Sequence, residues 1–410
     1  MRILVVYPYI PFPVDRGTYQ RTFHLLRSLA RDHEVDLLAL SENSERLDQK
    51  AVFEEFCSRV EFVPFQHPQW PRLFPDRLLS PLPTTVRHWC LPHVEEAIQR
   101  FVAGRQYDLA HVCDIVMAQY FFGSLSHLPL AVDRSRVDLQ FQLAQREAMS
   151  SGMRQTVLDW ENLVKLKWFE RRIAKRASVE VVCGPDDETF IRQSISRTVP
   201  VEVVTNGVDL DYFDPGACRE ARSAQPTVLF CGAMDYTPNV DALRWFFGGI
   251  HESLRRLVPD LQVLIVGKSP VAEVTAYARH PGVTVTGGVP DVRPYYRRAW
   301  LQIVPLRIGG GTRLKIPESM AMGTPVVSTT IGAQGLDLRH GEDILLADTP
   351  EAFARETARA LGDGALRSHL EITGMATVRE RLSWRQLGRQ LSEFYANHFN
   401  TRAGDRKGGL

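Results

Sequence analysis

Short runs of Val, Ile and Leu alternate along this chain with stretches of helical spacing. That rhythm constrains the fold more than any other feature. Arg2–Tyr7 is a strand-length apolar run, and Thr18–Arg31 then places Phe23, Leu26, Leu29 and Ala30 at helical spacing. Further strand-like runs are His33–Leu40, Val60–Pro64, Leu109–Cys113, Leu130–Asp133 and Ser178–Cys183. Strands that are apolar throughout are buried on both faces, and helices between them supply the crossovers of a parallel sheet. A second series follows, with Val228–Gly232, Leu261–Gly267, Val283–Thr286, Leu301–Val304 and Pro325–Ser328. Between the two lie the turn dipeptide Asn206-Gly207 and the polar stretch Cys218–Gln225. The pattern predicts an α/β fold of two Rossmann-like parallel-sheet domains facing a cleft. The domains are expected at 1–204 and 205–380, followed by a last helix at 381–400 and a disordered tail at 401–410.

A length of 410 residues accommodates two such domains. The formal net charge is +1, which argues against a dedicated nucleic-acid binder. The six cysteines are scattered and form no C-x-x-C pair, so reduced thiols are expected and a structural metal is not. The apolar N-terminus MRILVVYPYIPFPVD has three prolines and reads as a strand running into a loop, rather than as a signal peptide. The 18-residue uncharged stretch Ile115–Val132 contains Gln119, Gly123, His127 and Pro129, too polar and broken to span a bilayer. A cytoplasmic location is expected, with peripheral contact at the inner face of the plasma membrane left open.

The densest candidate for chemistry is Pro305–Gly323, PLRIGGGTRLKIPESMAMG. Gly309, Gly310 and Gly311 let backbone approach a ligand and present consecutive N–H groups to an anion. Thr312, Arg313 and Lys315 follow at once, and Pro317 marks the first turn of a helix. A diphosphate fits this setting. One charge pair at 4 Å contributes about 4 kcal/mol at an effective dielectric of 20, before desolvation. The block is neither a Walker A loop nor G-x-G-x-x-G. Glu318 has two readings at this stage: compensation of the helix dipole, or acceptance of hydrogen bonds from vicinal ribose hydroxyls.

Three other glycine turns close strands of the second series: Gly232, Gly267 before Lys268, and Gly287-Gly288 before Val289. In the first series Gly17 occupies the turn after the first strand, and Asp114 and Asp133 close two others. Either carboxylate is a candidate catalytic group. His111 lies on a strand, where a core role is the simpler reading. No Ser/His/Asp or Cys/His order suggests acyl transfer.

NGVDLDYFDP, the Gly-Gly-Gly-Thr-Arg-Leu-Lys-Ile block and PESMAMGTPVVSTTIGAQGL together resemble glycosyltransferase family 4, of the GT-B architecture. CGAMDYTPNVDAL adds to a likeness with bacterial sugar transferases of exopolysaccharide biosynthesis. The resemblance implies a retaining, metal-independent enzyme without a cofactor. It would move a sugar from a nucleotide-sugar donor to a glycan or lipid-linked sugar acceptor. It implies a ribose contact for Glu318, base recognition around Val289 and a phosphate-side turn at Gly17. The first Glu of the family's paired motif would fall at Gly310, and the basic pair after the first strand of the donor domain is replaced by AMDYTPN. Arg313 and Lys315 are therefore the candidates for diphosphate stabilisation, with Lys268 a further one. In some relatives a His stands where this chain has Cys113. The final helix would cross back onto the N-terminal domain. A non-catalytic nucleotide-sugar-binding scaffold and a GT-B-type epimerase are the alternatives.

Two surfaces stand apart from this chemistry. Residues 157–176 form an amphipathic helix with Lys165, Lys167, Arg171, Arg172, Lys175 and Arg176 on its polar side, either a solvated face or one that meets a membrane or partner. Segment 69–92, with Trp70, Phe74 and Trp89 among five prolines, is either a loop over the acceptor or a membrane-surface element.

Overall fold

The computed structural model describes residues 1–14, 16–42, 48–66, 80–148, 153–308 and 313–405, with backbone alone at 147–148, 153–157 and 400–405. The chain divides into two units, Met1–Val204 with Gly388–Leu410, and Thr205–Leu387.

The first unit holds β1 (Arg2–Tyr7), β2 (Glu34–Ser41), β3 (Arg59–Pro64), β4 (Leu109–Cys113), β5 (Leu130–Arg134), β6 (Val179–Val182) and β7 (Val201–Val203). They form one seven-stranded sheet in the order β3-β2-β1-β4-β5-β6-β7, with every pair parallel. Residues Ile3 to Tyr7 have no exposed surface, which accounts for the unbroken apolar run at the start of the sequence.

The second unit holds β8 (Thr227–Cys231), β9 (Gln262–Val266), β10 (Val283–Gly287), β11 (Leu301–Val304), β12 (Val326–Ser328) and β13 (Leu345–Leu346). The order is β10-β9-β8-β11-β12-β13, again all parallel. β13 has only two residues, too short to show a period in the sequence, and it pairs with β12 through Val327 and Ser328.

Both sheets reverse their winding once, between β1 and β4 and between β8 and β11. At such a reversal the loops leaving the carboxyl ends of two neighbouring strands diverge and open a crevice, where α/β sheets hold ligands.

The last helix runs Trp384–Asp405, and from Gly388 on it belongs to the first unit. There Tyr395 shares a 2.8 Å hydrogen bond with His111 Nδ1, and Ser392 Oγ donates to Asp32 at 2.8 Å. A Cβ on Gly388 would overlap the Ser28 side chain, so glycine is what lets this helix sit down on the Gly17–Asp32 helix. Helical backbone continues past His398 to Asp405, further than the sequence suggests; residues 406–410 lie outside the described ones.

The uncharged stretch from Ile115 is interior structure. Ile115, Met117, Ala118 and Phe121 are buried under the sheet, and the stretch ends in β5. Of segment 69–92, residues 69–79 lie outside the described residues, while Trp89 packs its ring 5.1 Å from that of Phe65. Among the described residues no helix is long and apolar enough to cross a membrane.

Candidate active site

The reversal in the second unit is where β8 ends in Cys231-Gly232 and β11 runs into the Pro305–Arg313 segment. Gly309, Gly310, Gly311 and Thr312 lie outside the described residues. The chain is described again from Arg313, and the helix Lys315–Ala321 starts two residues before Pro317. Ile316 is helical despite the following proline, because the first turn of a helix leaves its N–H groups without intrahelical partners and loses nothing to a missing one.

Lys315 reaches across to the turn after β8. Its ammonium donates to Asn239 Oδ1 at 2.9 Å and lies 4.5 Å from the centre of the Phe230 ring. Asn239 in turn donates from Nδ2 to Ala233 O at 2.8 Å, which fixes the amide's orientation. A Cβ placed on Gly232, at φ +156°, would stand 3.1 Å from the ammonium and 2.7 Å from Asn239 Nδ2. The glycine thus makes room for the lysine head beside bare backbone. Burial of the ammonium pulls Lys315 down to about 8; the Glu318 carboxylate acts against that shift and Arg313 adds to it. Arg313 is 9% exposed and Lys315 is partly buried, so neither cation is a fully solvated surface charge.

Glu318 stands one turn further along the same helix, and its Oε2 accepts from the Tyr296 hydroxyl at 3.0 Å. Tyr296 is fully buried, and burial raises its phenol well above the ordinary value. The phenol therefore stays a donor and holds the carboxylate in one orientation. Burial also raises Cys231 to about 11, leaving a neutral thiol beneath the site.

The turns after β9 and β10 adjoin this place. Gly267, at φ +157°, packs so closely on Gly232 that a Cβ would overlap the Gly232 carbonyl. Met234 N donates to Lys268 O at 2.9 Å, tying the two turns together. A Cβ on Gly288 would meet Lys268 Cβ at 3.5 Å, while Val289 packs partly buried against the core. Lys268 itself is exposed.

In the first unit the reversal lies between the ends of β1 and β4. Gly17 opens the helix Gly17–Asp32, and Asp114 opens Asp114–Ala118 with φ +63°, a left-handed conformation uncommon outside glycine. Burial raises the Asp114 carboxyl to about 7, with Asp138 and Asp133 adding repulsion. A strained backbone and a carboxyl that titrates near neutrality mark Asp114 as a candidate functional group. Beside it, Tyr9 and Cys113 share a 3.3 Å hydroxyl–sulfur hydrogen bond, and burial keeps Cys113 a thiol.

Asp133 is different. Its carboxylate and Arg21 form a pair at 2.6 Å, both side chains fully buried, and Arg21 also donates to Val204 O at 2.7 Å. The expectation of a catalytic role for Asp133 does not fit this placement, since the group has no surface and its oxygens serve the guanidinium. His111 is also fully buried, and burial lowers it to about 4, a neutral ring bonded to Tyr395. Among the described residues no group of three or more His, Cys, Asp and Glu side chains is arranged to hold a metal.

Residues 225–363, which carry the Lys315 site, match the family model described as Glycosyl transferases group 1. A protein of Klebsiella pneumoniae, called an uncharacterized 44.6 kDa protein in the cps region, is 22% identical over 86% of this chain and 89% of its own length. A GDP-mannose-dependent alpha-(1-6)-phosphatidylinositol monomannoside mannosyltransferase of Mycolicibacterium smegmatis is 23% identical over 95% of this chain and 98% of its own. The solved sucrose-phosphate synthase of Thermosynechococcus elongatus superposes with a TM-score of 0.72 at 19% identity, covering 98% of this chain and 100% of its own. Over residues 225–363 the chain is similar to group 1 glycosyl transferases, and over most of its length to a glycosyltransferase.

Its architecture is GT-B, two parallel-sheet α/β domains of seven and six strands. The structure brings Gly232, Arg313, Lys315 and Glu318 to one reversal point, with Lys268, Gly288 and Val289 on the adjoining turns. It puts Gly17 and Asp114 at the corresponding point of the other unit. Sequence reasoning missed Asn239, which orients Lys315, and Tyr296, which orients Glu318. CGAMDYTPN held a signal for the first: where a basic pair is missing after β8, a polar residue that recruits a cation from elsewhere in the chain is worth seeking.

Proposed function

We propose that this protein is a glycosyltransferase that moves a sugar from a nucleoside-diphosphate donor to an acceptor hydroxyl with retention of anomeric configuration and without a metal. The observation that carries the reading is the Lys315 ammonium, held by Asn239 at the bare turn after β8, with Arg313 alongside. The diphosphate binds there. In the transfer the bond between the anomeric carbon and the phosphate oxygen breaks and a bond to the acceptor oxygen forms. Charge builds on the leaving diphosphate, and two cations with little water around them stabilise that charge more than solvated ones would. Glu318, oriented by Tyr296, accepts from the ribose hydroxyls. The turn at Gly288 and Val289 meets the base, with Lys268 at its edge.

The first unit serves the acceptor, a glycan or lipid-linked sugar. Asp114, ionised, accepts a hydrogen bond from the acceptor hydroxyl and positions its oxygen. The proton passes to the leaving phosphate oxygen, so atoms and charge balance without a cofactor. Gly17 leaves room for backbone beside the phosphates.

Turnover with a panel of radiolabelled nucleotide-sugars and lipid-linked or oligosaccharide acceptors tests this, with the anomeric configuration of the product read by NMR. Transfer with retention supports it. Binding without transfer or hydrolysis favours a nucleotide-sugar-binding scaffold, and an isomerised sugar formed without acceptor favours an epimerase.

A further inference from the structure

The helix Met153–Arg176 has a face that neither the sheet nor the transfer chemistry uses. Its inner side is committed: Leu166, Phe169 and Ile173 are fully buried, and Glu170 pairs with the buried Arg134. On the outer side Trp160, Val164 and Trp168 are 58%, 50% and 51% exposed. They sit four residues apart, so they form one line of about 12 Å along the helix. Tryptophan is a residue that folded chains usually cover, and two half-exposed on one line form a patch rather than scatter. Leu143, on the neighbouring helix Asp138–Ala148, adds a further exposed apolar side chain at 38%.

The exposed charges around this line are basic. Lys167, Arg171, Arg172 and Lys175 are all exposed. Of the three carboxylates in this helix, Glu161 pairs with Lys165, Glu170 with the buried Arg134, and Asp159 is partly buried. The Arg172 guanidinium lies 4.3 Å from the Phe122 ring and 5.7 Å from that of Trp168, spreading its charge along the aromatic surface. Beside the helix, Thr84 N donates to Asn162 Oδ1 at 2.8 Å, so the described part of segment 69–92 supports this helix while Trp89 turns inward onto Phe65.

We propose that the outer face of the Met153–Arg176 helix docks the protein on an anionic lipid bilayer, with Trp160, Val164 and Trp168 entering the headgroup region and Lys167, Arg171, Arg172 and Lys175 meeting lipid phosphates. Indole rings favour the boundary between headgroups and acyl chains. Long basic side chains lay their stems along apolar surface and keep their charges at phosphate level. An amphipathic helix lying flat with aromatic residues inward and cations around them is held by both terms at once. The proposal agrees with a lipid-linked acceptor but stands on the helix face alone.

The test is sedimentation of the full chain with vesicles of phosphatidylcholine, either pure or with about one third phosphatidylglycerol. Binding to the anionic vesicles is expected to exceed binding to neutral ones at least tenfold and to fall with added salt. Trp160→Ser/Trp168→Ser is expected to weaken it at least tenfold, with a blue shift of indole emission on binding seen only in the wild type. Lys167→Gln/Arg171→Gln/Lys175→Gln is expected to weaken it and flatten its salt dependence. These side chains are exposed, so the melting temperature checks that each variant is folded. A wild type that ignores anionic vesicles overturns the proposal, as does a tryptophan variant that binds like the wild type. A dimer that the tryptophan variant dissolves would give the face to a second copy instead. No turnover is read, so failed docking leaves the transfer reading standing, and failed transfer leaves docking standing.

Discussion

Lys315 Nζ donates to Asn239 Oδ1 across 2.9 Å, joining the segment after β11 to the helix after β8. The contact puts a cation where the sequence, with AMDYTPN after β8, has none of its own. Burial at that place makes the cation's charge sensitive to pH near neutrality.

Lys315 is protonated below about 8 and loses its charge above it. A group that must be charged to hold an anion binds it best below its pKa. Nucleoside-diphosphate affinity is therefore expected to fall as pH rises from 7 to 9 and to do so much less in Lys315→Gln. That variant and Arg313→Ala are each expected to lower kcat/KM at least tenfold, about 1.4 kcal/mol in the transition state. Steady-state kinetics at several pH values read both effects.

Asp114 is expected to give the acidic limb of the rate profile. Its carboxyl, raised to about 7, is ionised only above that pH, so the rate should climb through neutrality. Asp114→Asn keeps a side chain that tolerates positive φ, and should lose both the limb and at least tenfold in rate. Stability moves the other way. The unfolded carboxyl ionises near 4 while the folded one holds its proton to about 7, so ionisation destabilises the fold as pH rises through that window. The melting temperature of Asp114→Asn relative to wild type should therefore improve from pH 4 to pH 7.

Arg21 and Asp133 should behave as structure rather than chemistry. Removing one partner leaves a buried charge, so Asp133→Asn or Arg21→Met is expected to cost about 3–5 kcal/mol of stability in urea unfolding. Activity per folded molecule should persist. A catalytic Asp133 would show the reverse, a stable protein with little turnover.

Gly267→Ala sets a side chain against the Gly232 carbonyl at a backbone angle that favours glycine. It should fail to fold or lose several degrees in melting temperature. Gly248→Ala, with nothing within 4 Å of the added carbon, should be tolerated.

The sheets were legible because buried parallel strands are apolar in unbroken runs. Leu109–Cys113 and Leu301–Val304 appear in the structure with the bounds that the sequence suggests. The two residues of β13 carry no such signal. Glycine turns were legible one by one, but not the reason for them, since Gly232 accommodates a lysine far along the chain. Lys315 meets Asn239 over 76 residues, and Arg21 meets Asp133 over 112. Such pairings are set by strand order, which local patterns do not encode. For that reason Asp133 resembled Asp114 in sequence, a carboxylate closing a strand, while burial beside Arg21 separates the two.

The most direct measurement is calorimetric titration of UDP, GDP and ADP, with the matching nucleosides as controls, into wild type and Lys315→Gln at pH 7. One diphosphate should bind the wild type, and at least tenfold more weakly the variant, while the affinity of its nucleoside stays unchanged. Equal diphosphate affinity in the two proteins would contradict the assignment of Lys315 to the diphosphate.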